Sequence, residues 1–259
     1  LQKPISYLLT WPDRTINQDI LEKLNALKQR RLMGEPIAYL TGLREFWSLN
    51  FKVNADVLIP RPETEHLVEW ALQCIGKFET ESGSDIGSDF KMLELGTGSG
   101  AIAIAVAKEN PHLQITATDK SENALQIAKE NALLNQCENV TFLSGHWFDC
   151  VPDKDFDVIL SNPPYIAAAD PHLNEGDLPY EPVSALVADE KGLADIKWLI
   201  ENAKKYLKQG GWLGIEHGFD QARAVLNMMQ ENGYQQSRTI QDLAGMDRLT
   251  VCNWSEHNE

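Results

Sequence analysis

Met92-Leu93-Glu94-Leu95-Gly96-Thr97-Gly98-Ser99-Gly100, running into Ala101 to Ala107, is the stretch that decides the fold. The first four residues read as a short buried strand, the three glycines as a tight turn, and the apolar run after them as a helix. Glycine accepts the positive φ that such a turn demands and lets a ligand approach the backbone. The spacing is G-x-G-x-G. It is not the dinucleotide fingerprint, and it lacks the lysine of a P-loop.

Strands and helices alternate downstream. Ile115 to Thr118 reads as a strand ending at Asp119, Glu122 to Leu134 as a helix, Val140 to Leu143 and Phe156 to Ser161 as further strands. A helix is expected over Leu193 to Leu207, a turn at Gly210-Gly211, a strand over Trp212 to Glu216 and a helix over Gln221 to Glu231. Gln235 to Ile240 and Arg248 to Trp254 follow as two strands with little between them, which suits antiparallel pairing. With Met92 to Leu95 these make seven strands. The expected architecture is α/β, a doubly wound and mostly parallel sheet.

Upstream the pattern differs. Asn17 to Met33 carries Ile20, Leu21, Leu24, Leu27 and Leu32 at helical spacing, with Asn17 as N-cap. Phe46 to Phe51 and Val53 to Ile59 read as a strand pair, Pro62 as the start of a helix, and Glu79 to Asp89 as a surface linker. The expected division is therefore a helical unit over 1–45, a hairpin, helix and linker over 46–90, and the α/β domain over 91–259. Residues 1–45 hold seven basic and five acidic side chains, with Lys28, Arg30 and Arg31 clustered at a helix end. A cationic last turn favoured by the helix dipole accounts for that cluster; a docking surface is the sharper alternative.

Composition narrows the function. The 259 residues carry a formal net charge of −15, with 38 acidic and 23 basic side chains. A general nucleic-acid binder needs a basic face, so direct binding to nucleic acid is not expected. No run approaches the roughly 20 apolar residues that span a bilayer, and no signal peptide is visible. Cys74, Cys137, Cys150 and Cys252 are scattered without a C-x-x-C pair, and the six histidines show no ligand spacing. Reduced thiols, a cytoplasmic setting, a monomer and no metal are the expectations.

Asn162-Pro163-Pro164-Tyr165 carries the chemistry. Two prolines cannot continue a strand ladder, so the chain leaves the sheet at Asn162, at a strand's C-terminal end. Ligands bind there in open α/β sheets. The Asn162 side-chain oxygen and the Pro163 carbonyl form a fork of two acceptors that matches the two N–H bonds of a planar –NH2 group. Such a nitrogen is a weak nucleophile, and orienting its lone pair at an electrophile is catalysis by positioning. Tyr165 can pack on a flat amide or base. The plain alternative is a strand-ending turn. Asp119, 23 positions after Gly96 at a strand tip, suits the hydroxyls of a ribose. Its alternative role is to cap the next helix, which Ser121 could also do.

Together, Leu93 to Gly100, Ile59-Pro60-Arg61-Pro62-Glu63-Thr64-Glu65 and Asn162-Pro163-Pro164-Tyr165-Ile166 resemble the HemK/PrmC family. These are class I S-adenosylmethionine-dependent protein-(glutamine-N5) methyltransferases of peptide chain release factors. The likeness extends over nearly the whole chain, including Gly34 to Leu40, Tyr180-Glu181-Pro182 and Gly192 to Asp195. It implies a Rossmann-like methyltransferase fold with a small helical N-terminal domain for substrate recognition. It implies that Gly96, Thr97, Gly98, Ser99 and Gly100 wrap the methionine part of S-adenosylmethionine, that Asp119 binds its ribose and that Trp147 packs near its adenine. Asn162 borders the cofactor and, with Pro163, grips the substrate amide; Pro164 and Tyr165 shape the slot. S-adenosylhomocysteine is the implied product, and the Gln of a Gly-Gly-Gln loop in release factors the implied target. A ribosomal-protein glutamine is the alternative target. Adenine-N6 nucleic-acid methyltransferases share the tetrapeptide, but residues 163–192 hold one Lys and no Arg with which to grip a phosphate backbone.

Overall fold

A computed structural model describes residue 3 and residues 5–82 and 90–255. Three helices open the chain: α1 (Ile5–Thr10), α2 (Gln18–Leu32) and α3 (Ile37–Thr41). Asn17 caps α2, its Oδ1 accepting the Ile20 N–H at 2.9 Å, as the sequence led us to expect. The hairpin β1 (Leu43–Phe46) and β2 (Leu49–Lys52) follows, then a 3-10 turn Pro62–Thr64 that leads into α4 (Glu65–Ser82).

The α/β part runs β3 (Lys91–Leu95), α5 (Ala101–Glu109), β4 (Gln114–Asp119), α6 (Glu122–Asn135), β5 (Val140–Ser144) and β6 (Phe156–Ser161). A long excursion carries the two-residue parallel pair β7 (Ile166–Ala167) and β8 (Val187–Ala188), then the short turn α7 (Asp189–Gly192). The chain closes with α8 (Ala194–Ala203), β9 (Leu207–Glu216), α9 (Ala222–Glu231), β10 (Gln235–Gln241) and β11 (Asp247–Asn253).

The main sheet has seven strands in the order β10-β11-β9-β6-β3-β4-β5. The five strands β3, β4, β5, β6 and β9 pair in parallel, while β11 is antiparallel to both β9 and β10. Central strands of such a sheet are covered on both faces and read as apolar runs. In β3, Met92 and Leu93 are fully buried; Met92 joins the core on the α4/α5 face with Trp70, Val106 and Ile115, and Leu93 the core on the α8/α9 face with Ile159 and Ile196. The strand order reverses direction beside β3: later strands lie on its β4 side, then on its β6 side. This switch point is where a crevice opens at the carboxyl ends of the strands.

Three expectations need correction. The strand pair lies earlier than read: β1 and β2 span Leu43–Phe46 and Leu49–Lys52, and Val53 to Ile59 is not a strand. Val53, Val57 and Ile59 are buried at alternating places as a strand's residues would be. Between them Asn54 Oδ1 accepts the Asp56 N–H at 2.9 Å, and that turn breaks any ladder. Second, β9 begins at Leu207, so Gly210-Gly211 is an interruption within a strand: the register with β6 shifts there, and Gly210 takes φ +82°. Third, α4 continues to Ser82 into the proposed linker, whose residues 83–89 lie outside the described ones.

Candidate active site

The glycine turn hangs from the tip of β4. The Gly96 and Thr97 N–H groups both donate to the Thr118 carbonyl at 2.9 Å. Gly96, Gly98 and Gly100 take φ of +74°, +56° and +82°. Gly96 is required by space as well, since a Cβ there would stand 3.1 Å from Trp147 Cζ3. At Gly98 a Cβ would meet no protein atom within 4 Å, so the turn faces open space. Gly100 instead begins α5 and packs inward, where a Cβ would stand 2.8 Å from Ile104 Cδ1.

Two carboxylates hold this turn. Asp119 Oδ2 accepts the Gly98 N–H at 2.8 Å and its Oδ1 accepts the Ser121 N–H at 2.8 Å. The cap of α6 is Ser121, whose hydroxyl accepts from Ala124 N, so Asp119 is not spent as a helix cap. Glu94 Oε2 accepts from Thr97 Oγ1 at 2.7 Å and from the Ala103 N–H at 2.9 Å. Burial pushes the Glu94 carboxyl up to about 8. Trp147 sits beneath the turn at φ +50°, 8% exposed, and its indole Nε1 is buried without a partner. It is thus a buried ring with an unspent donor.

Asn162 lies at the next strand tip. Ser161 Oγ donates to the Leu95 carbonyl at 2.8 Å, tying β6 to β3 immediately before the chain turns away. Asn162 Nδ2 donates to Thr64 Oγ1 at 3.2 Å. Beyond the prolines, the Tyr165 carbonyl accepts from Gln221 Nε2 at 2.9 Å. Gly192 permits that packing, since a Cβ on it would fall 2.0 Å from the Tyr165 oxygen.

One cleft joins these parts. Gly96, Thr97, Gly98, Ser99, Asp119 and Trp147 line it, together with Asn162 and Pro164. Gly100, Pro163 and Tyr165 do not. Pro163 is buried, and Tyr165 turns to a neighbouring cleft with Glu216 and Arg248, where its Oη approaches Glu216 Oε1 at 3.4 Å. Burial raises the Tyr165 hydroxyl above the ordinary phenol range. Among the described residues no group of three or more His, Cys, Asp or Glu could hold a metal ion.

The residues 1–42 match the family model "PrmC N-terminal domain", and residues 83–175 match "Methyltransferase small domain". The chain is 47% identical over 259 residues to the release factor glutamine methyltransferase of Aliivibrio fischeri, covering 100% of this chain and 88% of that protein. It belongs to that family. The release factor glutamine methyltransferase of Vibrio cholerae serotype O1 is also 47% identical, over 100% of this chain and 87% of its own length. A methyltransferase from Pyrococcus furiosus, at 19% identity, shares the fold with a TM-score of 0.58 over 88% of this chain and 98% of that one.

In this release factor glutamine methyltransferase family member, the sequence reading missed the residues that frame the cleft. Arg61 pairs with Glu181, which is 4% exposed and accepts the Ile59 N–H at 3.1 Å. The pair joins the proline-rich segment before α4 to the Tyr180-Glu181-Pro182 turn, and Arg61 and Pro182 both line the cleft. Both segments carried the family likeness, but nothing in either signalled the other. Thr64 was likewise quoted without a role, and Glu216 was read only as a strand end.

Proposed function

We propose that the chain transfers a methyl group from S-adenosylmethionine to the side-chain amide nitrogen of a glutamine in peptide chain release factors, the Gln of the Gly-Gly-Gln loop. The observation that carries this reading is the Asn162 carboxamide, held by Thr64 through its nitrogen end and bordering the cleft of the glycine turn and Asp119. With Nδ2 engaged, Oδ1 is left to accept. The cleft fits the cofactor: Gly98 faces open space, Trp147 offers a flat wall, and Asp119 stands at a strand tip as a ribose acid does. Gly96, Thr97, Gly98, Ser99, Asp119 and Trp147, which line the cleft, would hold S-adenosylmethionine, which supplies an electrophilic methyl on sulfonium and leaves as S-adenosylhomocysteine.

The chain's own contribution is orientation. Asn162 Oδ1 and the Pro163 carbonyl accept the two N–H bonds of the substrate amide and fix its nitrogen along the line of transfer. The same acceptors favour the positive charge that develops on that nitrogen. The proton that the alkylated amide loses passes to water, so no general base is required of the protein. Pro164 narrows the cleft. Residues 1–45 would engage the release factor, and the reaction would run in the cytoplasm. Incubation with methyl-labelled S-adenosylmethionine and purified release factors, followed by peptide mapping, tests the reading. Label on the Gly-Gly-Gln glutamine is expected; label confined to another protein's glutamine, or none, would overturn it.

A further inference from the structure

Gln221 stands half-buried between β9 and α9, and its carboxamide meets three separate stretches of backbone. Its Oε1 accepts the Gly218 N–H at 2.9 Å. Its Nε2 donates to the Tyr165 carbonyl at 2.9 Å and to the Lys191 carbonyl at 3.3 Å. A backbone N–H can only donate and a carbonyl can only accept, so these partners fix which end of the amide is which. The place calls for one acceptor and two donors, and a glutamine side chain supplies that set.

The chain leaves its ordinary conformations to complete this arrangement. Glu190 and Lys191 take φ of 51° and 61° inside the short α7, and Gly192 takes φ +86°. Left-handed backbone at two successive residues other than glycine is costly and persists where the surroundings hold it. Gly192 also has no room for a side chain: a Cβ on it would fall 2.0 Å from the Tyr165 oxygen and 2.8 Å from Gln221 Nε2. The left-handed turn and Gln221 thus enclose one atom, the carbonyl oxygen that ends Asn162-Pro163-Pro164-Tyr165.

Inside that tetrapeptide, Pro163 and Pro164 have no N–H to give. The next donor, the Ile166 N–H, reaches the Leu186 carbonyl at 2.9 Å within the excursion between β6 and α8, not the main sheet. The Tyr165 hydroxyl meets Glu216 at the longer distance of 3.4 Å. One end of the segment is therefore held at Asn162 by Thr64, and the other at the Tyr165 carbonyl by Gln221. The proline rings set two φ angles between these points, so the two ends settle the course of the backbone that joins them. We propose that Gln221 is a positioning residue for methyl transfer: by holding the Tyr165 carbonyl it sets the placement of the acceptor pair, the Asn162 side chain and the Pro163 carbonyl. This rests on the reading of that pair given above.

The test uses Gln221→Met, which keeps the length and removes all three hydrogen bonds. Beside it stands Gln221→Glu, which keeps the acceptor for Gly218 and turns an ionised oxygen toward two carbonyls. Both should lower kcat for release factor by roughly tenfold to a hundredfold, the cost of displacing a reacting group by about 1 Å. The KM for release factor and the Kd for S-adenosylmethionine should stay within about twofold, because Gln221 does not line the cofactor cleft. A kcat within about threefold of wild type in Gln221→Met, or in Gln221→Glu should the first variant not fold, would overturn the inference. So would a loss carried by the Kd for S-adenosylmethionine with kcat unchanged. A second readout needs no activity. Tyr165-Ile166 is the only Tyr-Ile pair in the sequence, so ¹³C-carbonyl tyrosine with ¹⁵N isoleucine gives one signal for that peptide bond. In both variants that signal and the Asn162 side-chain amide signals should move. Movement at Tyr165-Ile166 with Asn162 unmoved would confine Gln221 to a local clamp and overturn the inference. If both move while the wild-type enzyme labels no release factor, the positioning stands and the proposed substrate falls.

Discussion

Replacing Asn162 by Ala removes one arm of the acceptor fork and leaves the other, the Pro163 carbonyl. The substrate nitrogen then keeps a single contact and can rotate away from the line of transfer. Loss of one preorganised polar contact of this kind typically lowers kcat by about 10²–10³, or roughly 3–4 kcal/mol. The structure adds a second, smaller effect. Asn162 Nδ2 is a hydrogen-bond partner of the nearly buried Thr64 hydroxyl, and its removal leaves that group half satisfied. About 1 kcal/mol of folding stability should go with it. Cofactor affinity should change little, because Gly98, Asp119 and Trp147 remain. The assay is single-turnover transfer at saturating S-adenosylmethionine and release factor, with cofactor binding followed separately by calorimetry. A rate for Asn162→Ala within about threefold of wild type, under 1 kcal/mol, would refute the fork and return Asn162 to the role of a strand-ending turn.

Three further outcomes follow from the same geometry. Asp119→Ala should weaken S-adenosylmethionine binding by about 1–3 kcal/mol, since it also frees the Gly98 and Ser121 N–H groups it now holds; unchanged affinity by calorimetry would remove Asp119 from the site. Glu94→Gln should become more stable relative to wild type as pH rises from 5 to 8, by several degrees in Tm. Its folded pKa of about 8 lies above the ordinary 4.5, so the native state binds the extra proton and that stability is lost as pH rises through the folded value; a pH-independent difference in melting scans would contradict this. Deleting residues 1–42 should leave cofactor affinity intact while lowering turnover of whole release factor, and equal turnover would place recognition elsewhere in the chain.

The sheet was legible because its central strands are buried on both faces and so are mostly apolar, as in Met92, Leu93 and Leu95 of β3 and Val158, Ile159 and Leu160 of β6. The glycine turn, Asp119 and Asn162 were legible because glycine and proline act on the backbone locally, and each announces a strand's end. The rest depends on contacts between distant segments. Thr64 and Asn162 are 98 positions apart, and Arg61 and Glu181 are 120 apart. No local pattern distinguishes a threonine that will meet a strand tip from one that caps a helix. The misplaced hairpin has a different cause: Val53, Val57 and Ile59 bury their side chains at strand-like spacing on an irregular backbone, so burial and ladder pairing came apart. Tyr165 was placed on the substrate side by its ring and by the family likeness, and nothing near it in sequence signals that its hydroxyl meets Glu216, 51 positions on.

Asp119, the glycine turn and Asn162 all hang from the tips of three adjacent central strands, β4, β3 and β6. Strands of that kind open only in global unfolding, whereas segments with few buried contacts open far more often. The helix α2 belongs to the second kind: none of its residues is buried, and Leu24 and Leu32 are 53% and 70% exposed. Amide hydrogens of β3, β4 and β6 should therefore exchange last in the molecule and those of α2 among the first. The part that carries the chemistry would keep its shape while the part proposed to meet a partner loosens and re-forms, so that selection for a new protein substrate could act on one end of the chain without disturbing the other.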